Sequence, residues 1–180
     1  MRDNQLIMLF RPLLLAGFAA QGLTTVQVKQ NFQPTQQGRV GTPPAMYMTK
    51  ILDHRHGSPG IKETWHPPLT AMIRTKTEII EGHWQFSFTV AENPADDNEL
   101  TAADYAKIAA SIMQDDPFRA GLIAAEVNIL RITDVRTVNV QNDYDQFEKN
   151  VSFDAIITHK DVTVTTTPFA TNFTFKLRRV

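Results

Sequence analysis

An α+β fold, with a mainly antiparallel sheet and an N-terminal helix and two central helices packed on one face, is what this sequence predicts. Helical and alternating stretches are segregated in the order helix, several strands, two helices, two strands, and are not interleaved as a parallel α/β sheet demands. The segment from Leu130 to Thr158 holds two runs of strand periodicity about a polar turn, and no residue set in it could do chemistry.

The first element is a helix begun near Asp3 or Asn4 as cap, with Leu6, Leu9, Phe10 and Leu13 on one stripe and Ile7, Leu14 and Phe18 widening it. So broad an apolar face wants burial, in the core or against another subunit. Gly22 stops the helix, and Val26 and Val28 alternate with polar neighbours in a first strand over Thr24 to Lys29. Asn31 to Pro44, rich in Gln, Gly and Pro, reads as a long loop, and connections of that length are usually functional or disordered. Ala45 to Leu52 resumes as strand. His54 to Pro68 is expected to be a second loop because it contains Gly and Pro. Ala71 to Ile80 and Trp84 to Val90 make one long strand bent at Gly82, or two strands.

Thr101 with Asp104 has the pattern of a capping box, and Tyr105, Ile108, Ala109, Ile112 and Met113 follow at helical spacing. Asp115 and Asp116 before Pro117 open a shorter helix through Phe118, Leu122 and Ala125. In the next run Leu130, Ile132, Val138 and Val140 share one parity and are expected on the buried face. In its partner Phe147, Val151, Phe153, Ala155 and Ile157 take the inner face against Glu148, Asn150, Ser152, Asp154 and Thr158, after a turn at Asn142, Asp143 and Asp145. Residues 163–180 form a strand-like C-terminal arm, Thr-rich to Thr167 and then alternating Phe173, Phe175 and Leu177 with Thr174, Lys176 and Arg178. It either closes the parent sheet, the favoured reading, or adds a strand to a neighbouring chain.

The length of 180 residues and 42% apolar content fit one domain, 1–180, that buries a core without disulfides. Without cysteine, thiolate nucleophiles and thiolate metal sites are excluded. A net charge of -1 with both signs scattered along the chain gives no footprint for phosphate-backbone binding. Met1 to Gly22 superficially resembles a secretory signal, but Asp3 spoils its positive end and Arg11 and Pro12 interrupt its apolar run. The chain therefore reads as soluble and uncleaved, with no membrane partner.

Candidate chemistry is sparse. His54, His56 and His66 could suggest a small metal-dependent hydrolase, yet Arg55 intervenes and no motif supplies the ligand set. Asp96 with Asp97, and Asp115 with Asp116, sit beside helix starts, where carboxylates cap free amides and complement the dipole. The serines lack a nucleophile-elbow context, and no Gly-rich phosphate loop appears. Lys176, Arg178 and Arg179 beside Phe173 and Phe175 could instead mark a sheet-based nucleic-acid-binding module. No catalytic residue, metal or cofactor is expected.

Taken together, the Asn31 loop, Pro43-Pro44-Ala45-Met46-Tyr47, Gln85-Phe86-Ser87 and Ala102-Ala103-Asp104-Tyr105-Ala106 resemble the neck or tail terminator proteins of long-tailed bacteriophages. So do Ile129 to Arg136, Asp145-Gln146-Phe147-Glu148 and Ser152-Phe153-Asp154. The resemblance implies a non-enzymatic virion subunit that forms a six-membered ring in the neck, caps the tail tube and joins it to the head-completion ring. Its implied partners are further copies of itself, the tail tube protein, a head-completion (stopper or adaptor) protein and the tail sheath. DNA would pass through without specific binding, and assembly would take place in the host cytoplasm. From position alone, Phe10, Leu13, His54, Arg55, His56, Trp65, Phe173 and Phe175 are expected at subunit or ring contacts. Glu92, Asp96, Asp97, Glu99, Asp143 and Asp145 are expected to face the lumen, where acidic groups repel phosphate.

Overall fold

The computed structural model of the chain describes residues 1–30, 43–69, 71–90, 95–96, 98–141 and 147–168, the side chains of 138–141 and 147–150 excepted. Among them the elements run α1 (Asp3–Ala20), β1 (Gln27–Gln30), β2 (Ala45–His66), a 3-10 turn (Pro67–Leu69) and β3 (Ala71–Thr89). They continue through α2 (Ala102–Ile112), α3 (Asp116–Ala124), β4 (Val127–Ile132), β5 (Arg136–Gln141) and β6 (Phe147–Pro168). One sheet takes the strands in the order β1-β2-β3-β6-β4, with β5 also on β6. Every pairing is antiparallel except β1 on β2. This is the α+β architecture that the order of elements predicts.

The helices cover one face of the sheet. Leu6, Phe10, Leu14 and Phe18 recur at every fourth position, which places them in one row on α1, and all four are fully buried. They meet the even-numbered side chains Trp84, Phe86 and Phe88 of β3 and the odd-numbered Val151, Phe153, Ala155 and Ile157 of β6, a split that follows from the two-residue period of a strand. Phe10 lies at the junction, edge-on to Phe118 of α3 at 5.5 Å and 6.4 Å from Phe86, which stacks on Phe153 at 5.2 Å. Gly17 lets α2 approach closely, since a Cβ there would stand 2.2 Å from Cγ2 of Ile112.

The helix starts are built differently from one another. Arg2, not Asp3 or Asn4, caps α1, and its N–H donates to Oε1 of Gln5 at 2.9 Å. Asp3 instead pairs with Lys50 at 2.5 Å. The capping box of α2 forms as the spacing predicts: the Asp104 N–H donates to Thr101 Oγ1 at 3.3 Å, and the Thr101 N–H returns a bond to Asp104 Oδ2 at 3.1 Å. Pro117 falls in the first turn of α3.

Three further expectations are corrected. His54 to His66 is not a loop but the outer half of β2, paired with β3 as far as His66↔Ala71. Gly57 (φ +66°), Ser58 and Pro59 are absorbed in a bulge between His56 and Gly60, where positive φ suits glycine and an absent proline N–H leaves no ladder bond unmade. Leu130 is not buried: a bulge between Ile129 and Arg131 turns its side chain outward, 63% exposed, and Ile129 packs on the core instead. Ser152, placed by parity on the polar face, is buried between β3 and β5.

The run that begins at Leu130 divides into β4 and β5, both along one edge of β6. Thr133 carries the ladder across the gap, its N–H donating to Asp154 O and its Oγ1 accepting from the Asp154 N–H, both at 2.8 Å. β3 passes Gly82 as one strand, and the irregularity lies opposite, between Lys50 and Leu52 of β2.

Phe10→Ala should lower the free energy of unfolding in urea by about 3–5 kcal/mol, the usual cost of emptying a filled aromatic site. Thr101→Ala should cost about 1 kcal/mol at neutral pH. The Thr101 hydroxyl and then its N–H hold the Asp104 carboxyl below its ordinary pKa. That stabilisation is complete above the unfolded carboxylate pKa and fades as pH falls through the depressed folded value, so urea curves of the two proteins should converge in acid.

Candidate assembly surface

The helices stop short of one end of the sheet. Beyond Ile80 of β3 and His159 of β6, both buried, β2, β3 and β6 run on together as a three-stranded arm ending at Pro67–Leu69 and Pro168. At about 3.3 Å per residue, Lys160–Pro168 carries it roughly 30 Å past the body. Among the described residues no strand pairs with the outer edge of β2 beyond Met48, or with that of β6 beyond His159.

The register assigns the arm two unlike faces. Opposite the helices lie Ile73, Thr75, Thr77 and Ile79 of β3 beside Val162 and Val164 of β6, with Ile79 and Val162 each 52% and Val164 60% exposed. The other face carries Arg74, Lys76 and Glu78 between Glu63 and Trp65 of β2 and Thr163 and Thr165 of β6. Its charges answer one another. Arg74 lies 3.8 Å from Glu63, and Glu78 takes both Lys76 and Arg55, the latter at 3.8 Å.

At the root of the arm, on the apolar side, Glu81 receives two imidazoles. His56 Nε2 bonds one carboxylate oxygen, and His83 Nε2 lies 3.3 Å from the other, with the His54 ring edge-on to His83 at 5.2 Å. The His56 hydrogen bond is the main reason the Glu81 carboxyl titrates below its ordinary range, against a smaller opposing effect of burial. Such a cluster ties β2 to β3 across the ladder.

On the helix side Lys50 bridges Asp3 and Asp53 at 2.5 and 2.6 Å. Burial disfavours its charge, but the two hydrogen bonds and the attraction of both carboxylates outweigh it and raise its pKa. Nearby, the Met1 ammonium donates to Lys160 O at 2.7 Å and to Asp161 at 3.2 Å. Burial, and then that positive charge, push the His159 imidazole below its ordinary pKa.

The residues expected at contacts are spread over these parts. His56 and Trp65 lie on the arm and His54 and Arg55 at its root, all four exposed. Phe10 is enclosed by its own chain, and Leu13, half-buried, lies against Gly121 of α3, where a Cβ would come within 2.7 Å of it. His66 is at the far end of the arm from His54 and His56, so these three histidines are not gathered. Among the described residues no group of three or more His, Asp or Glu could hold a metal.

Asp96 and Glu99 are exposed ahead of α2, Asp96 Oδ1 accepting the Asn98 N–H at 3.0 Å. Glu92, Asp97, Asp143, Asp145, Phe173 and Phe175 lie outside the described residues. The half-exposed Ile79, Val162 and Val164 and the paired Glu78 and Glu81 escaped the sequence reading. Their signal is the alternation of Ile73 to Ile79 against Arg74, Lys76 and Glu78, which marks a two-faced strand.

Among the described residues no helix is long and apolar enough to cross a membrane. No curated protein matches the chain in sequence. The sheath/tube terminator in the extended state of an extracellular contractile injection system (PVC) aligns over 97% of this chain at 8% identity. Its TM-score of 0.37 is too low to bear on function, and this chain spans 64% of that one's length. The model of the family described as E217 gateway protein gp29 matches residues 5–169, nearly the whole chain. The chain therefore belongs to the family of the E217 gateway protein gp29, a phage family in keeping with the resemblance to neck and tail terminator proteins.

Proposed function

We propose that this chain is a structural virion protein that works by contact: a homo-hexameric ring that caps the tail tube in the neck and joins it to the head-completion complex. The observation that carries this reading is the arm. Three strands leave the helix-covered body with two edges on which no described strand lies and a half-exposed row of Ile79, Val162 and Val164. A surface of that kind serves association between chains better than binding of a small molecule. Membership of a phage gateway family points the same way.

On this reading the like subunits meet head to tail, the arrangement that closes into a ring when the rotation between copies allows it. Tail tube, head-completion protein and sheath then meet different surfaces of the ring, and the chain itself makes or breaks no bond. His54, Arg55, His56 and Trp65 are the arm residues assigned to those contacts, and Phe173 and Phe175 join them from the C-terminal segment. Asp96 and Glu99, exposed ahead of α2, are assigned to the passage for DNA with Glu92, Asp97, Asp143 and Asp145. Negative charge there keeps phosphate from binding, so that DNA slides.

Native mass spectrometry and negative-stain imaging of the purified chain, alone and with tail tubes, should show a ring of six copies seated on tube ends. A chain that stays monomeric at every concentration and ignores tubes would sink the proposal. Reversing Asp96 and Glu99 to lysine should leave ring formation intact and reduce infectivity; unchanged infectivity would remove the acidic passage from the reading.

A further inference from the structure

We propose that Gly82 keeps open a binding site for one water molecule, which accepts the buried N–H of Trp84 and donates to the carboxylate of Asp53. The site lies on the helix side of the sheet, where the arm begins, and does not depend on the ring reading above.

Trp84 is the largest of the fully buried side chains, 1% exposed, yet its indole Nε1 has no hydrogen-bond partner among the described residues. A buried donor left in that state is costly, and native interiors meet it with a protein oxygen or an ordered water.

The register shows where the partner sits. Asp53 and Gly82 face each other across the β2–β3 ladder, and Trp84 follows two residues on, on the same face. A Cβ on Gly82 would stand 3.0 Å from Trp84 Nε1 and 3.3 Å from Asp53 Oδ1. The two atoms thus flank the glycine within a span that two hydrogen bonds of ordinary length can bridge. Asp53 is exposed, so the site opens to solvent on its side while the indole closes the other. Backbone geometry does not call for glycine here, because φ at Gly82 is not positive. What any side chain would remove is the space.

Chemistry selects the ligand. An indole N–H can only donate and a carboxylate can only accept, so the bridging group must do both. A cation would meet the positive edge of the indole, and an anion would meet Asp53. Water satisfies both sides, with two polar partners where a buried water usually has two to four. Asp53 Oδ2 also holds Lys50 at 2.6 Å, and Lys50 holds Asp3 of α1 at 2.5 Å. The bridge therefore extends this chain of contacts from the start of α1 to the core tryptophan.

A high-resolution crystal structure should show one ordered oxygen within hydrogen-bond distance of both Trp84 Nε1 and Asp53 Oδ1. An indole N–H bonded directly to a protein oxygen, or no ordered oxygen between the two residues, overturns the inference. Gly82→Ala supplies a second test, since exchanging glycine for alanine in a strand interior ordinarily stabilises. Here it should lower the thermal midpoint and remove the water-to-indole cross-peak of Trp84 from nuclear magnetic resonance spectra, with Trp65→Phe identifying the other indole. A raised midpoint, or a cross-peak that survives the methyl group, overturns the site. Should Gly82→Ala fail to fold, the crystal structure of the unaltered chain decides alone.

Discussion

The register of β3 with its two neighbours is the constraint on which the rest depends. From Ala71 to Phe88 this strand is laddered to β6 without a shift, and on its other side it follows β2 through two bulges. A two-stranded ribbon is marginal in water, and a third strand is what lets an extended sheet stand on its own. β6 supplies that third strand past the point where α1 and α3 stop covering the sheet. Helix packing holds the body together, and backbone pairing holds the arm. The boundary between the two regimes falls at Ile80 and His159, beyond which only Ala71, at the arm's far end, is buried among the described residues.

The fold class and most elements were legible because local periodicity and core burial agree there. The Thr101–Asp104 cap, the stripe of α1 and the parity of Val151 to Ile157 are decided by nearest neighbours and a single apolar face. His54 to His66 was misread because Gly57 and Pro59, ordinary signals of a loop, are held within a strand by the pairing on either side of their bulge, His56 with Ile79 and Gly60 with Thr77, a non-local effect. Leu130 failed for a related reason. One extra residue in β4 exchanges the two faces, and parity counting cannot register an insertion that only the partner strand defines.

The candidate surface was legible in part. His54, Arg55, His56 and Trp65 do project from the arm, whereas Phe10 satisfies its apolar demand inside its own chain. A wide stripe on a helix does not say which body covers it, and here α3 and β3 do. The exposed row of Ile79, Val162 and Val164 was hidden for the converse reason: alternation announces an inner face wherever apolar residues recur. Whether that face is closed by the same chain depends on how far the helices reach, which is a tertiary fact.

The anchoring of Met1 gives the amino end a structural task. Its ammonium closes the outward carbonyl of Lys160 and neutralises Asp161 where the body gives way to the arm. Any fusion or acetyl group placed ahead of Met1 exchanges this cation for a neutral amide that can donate only once. Purification handles and reporters appended there would disturb the line where helix cover gives way to bare sheet.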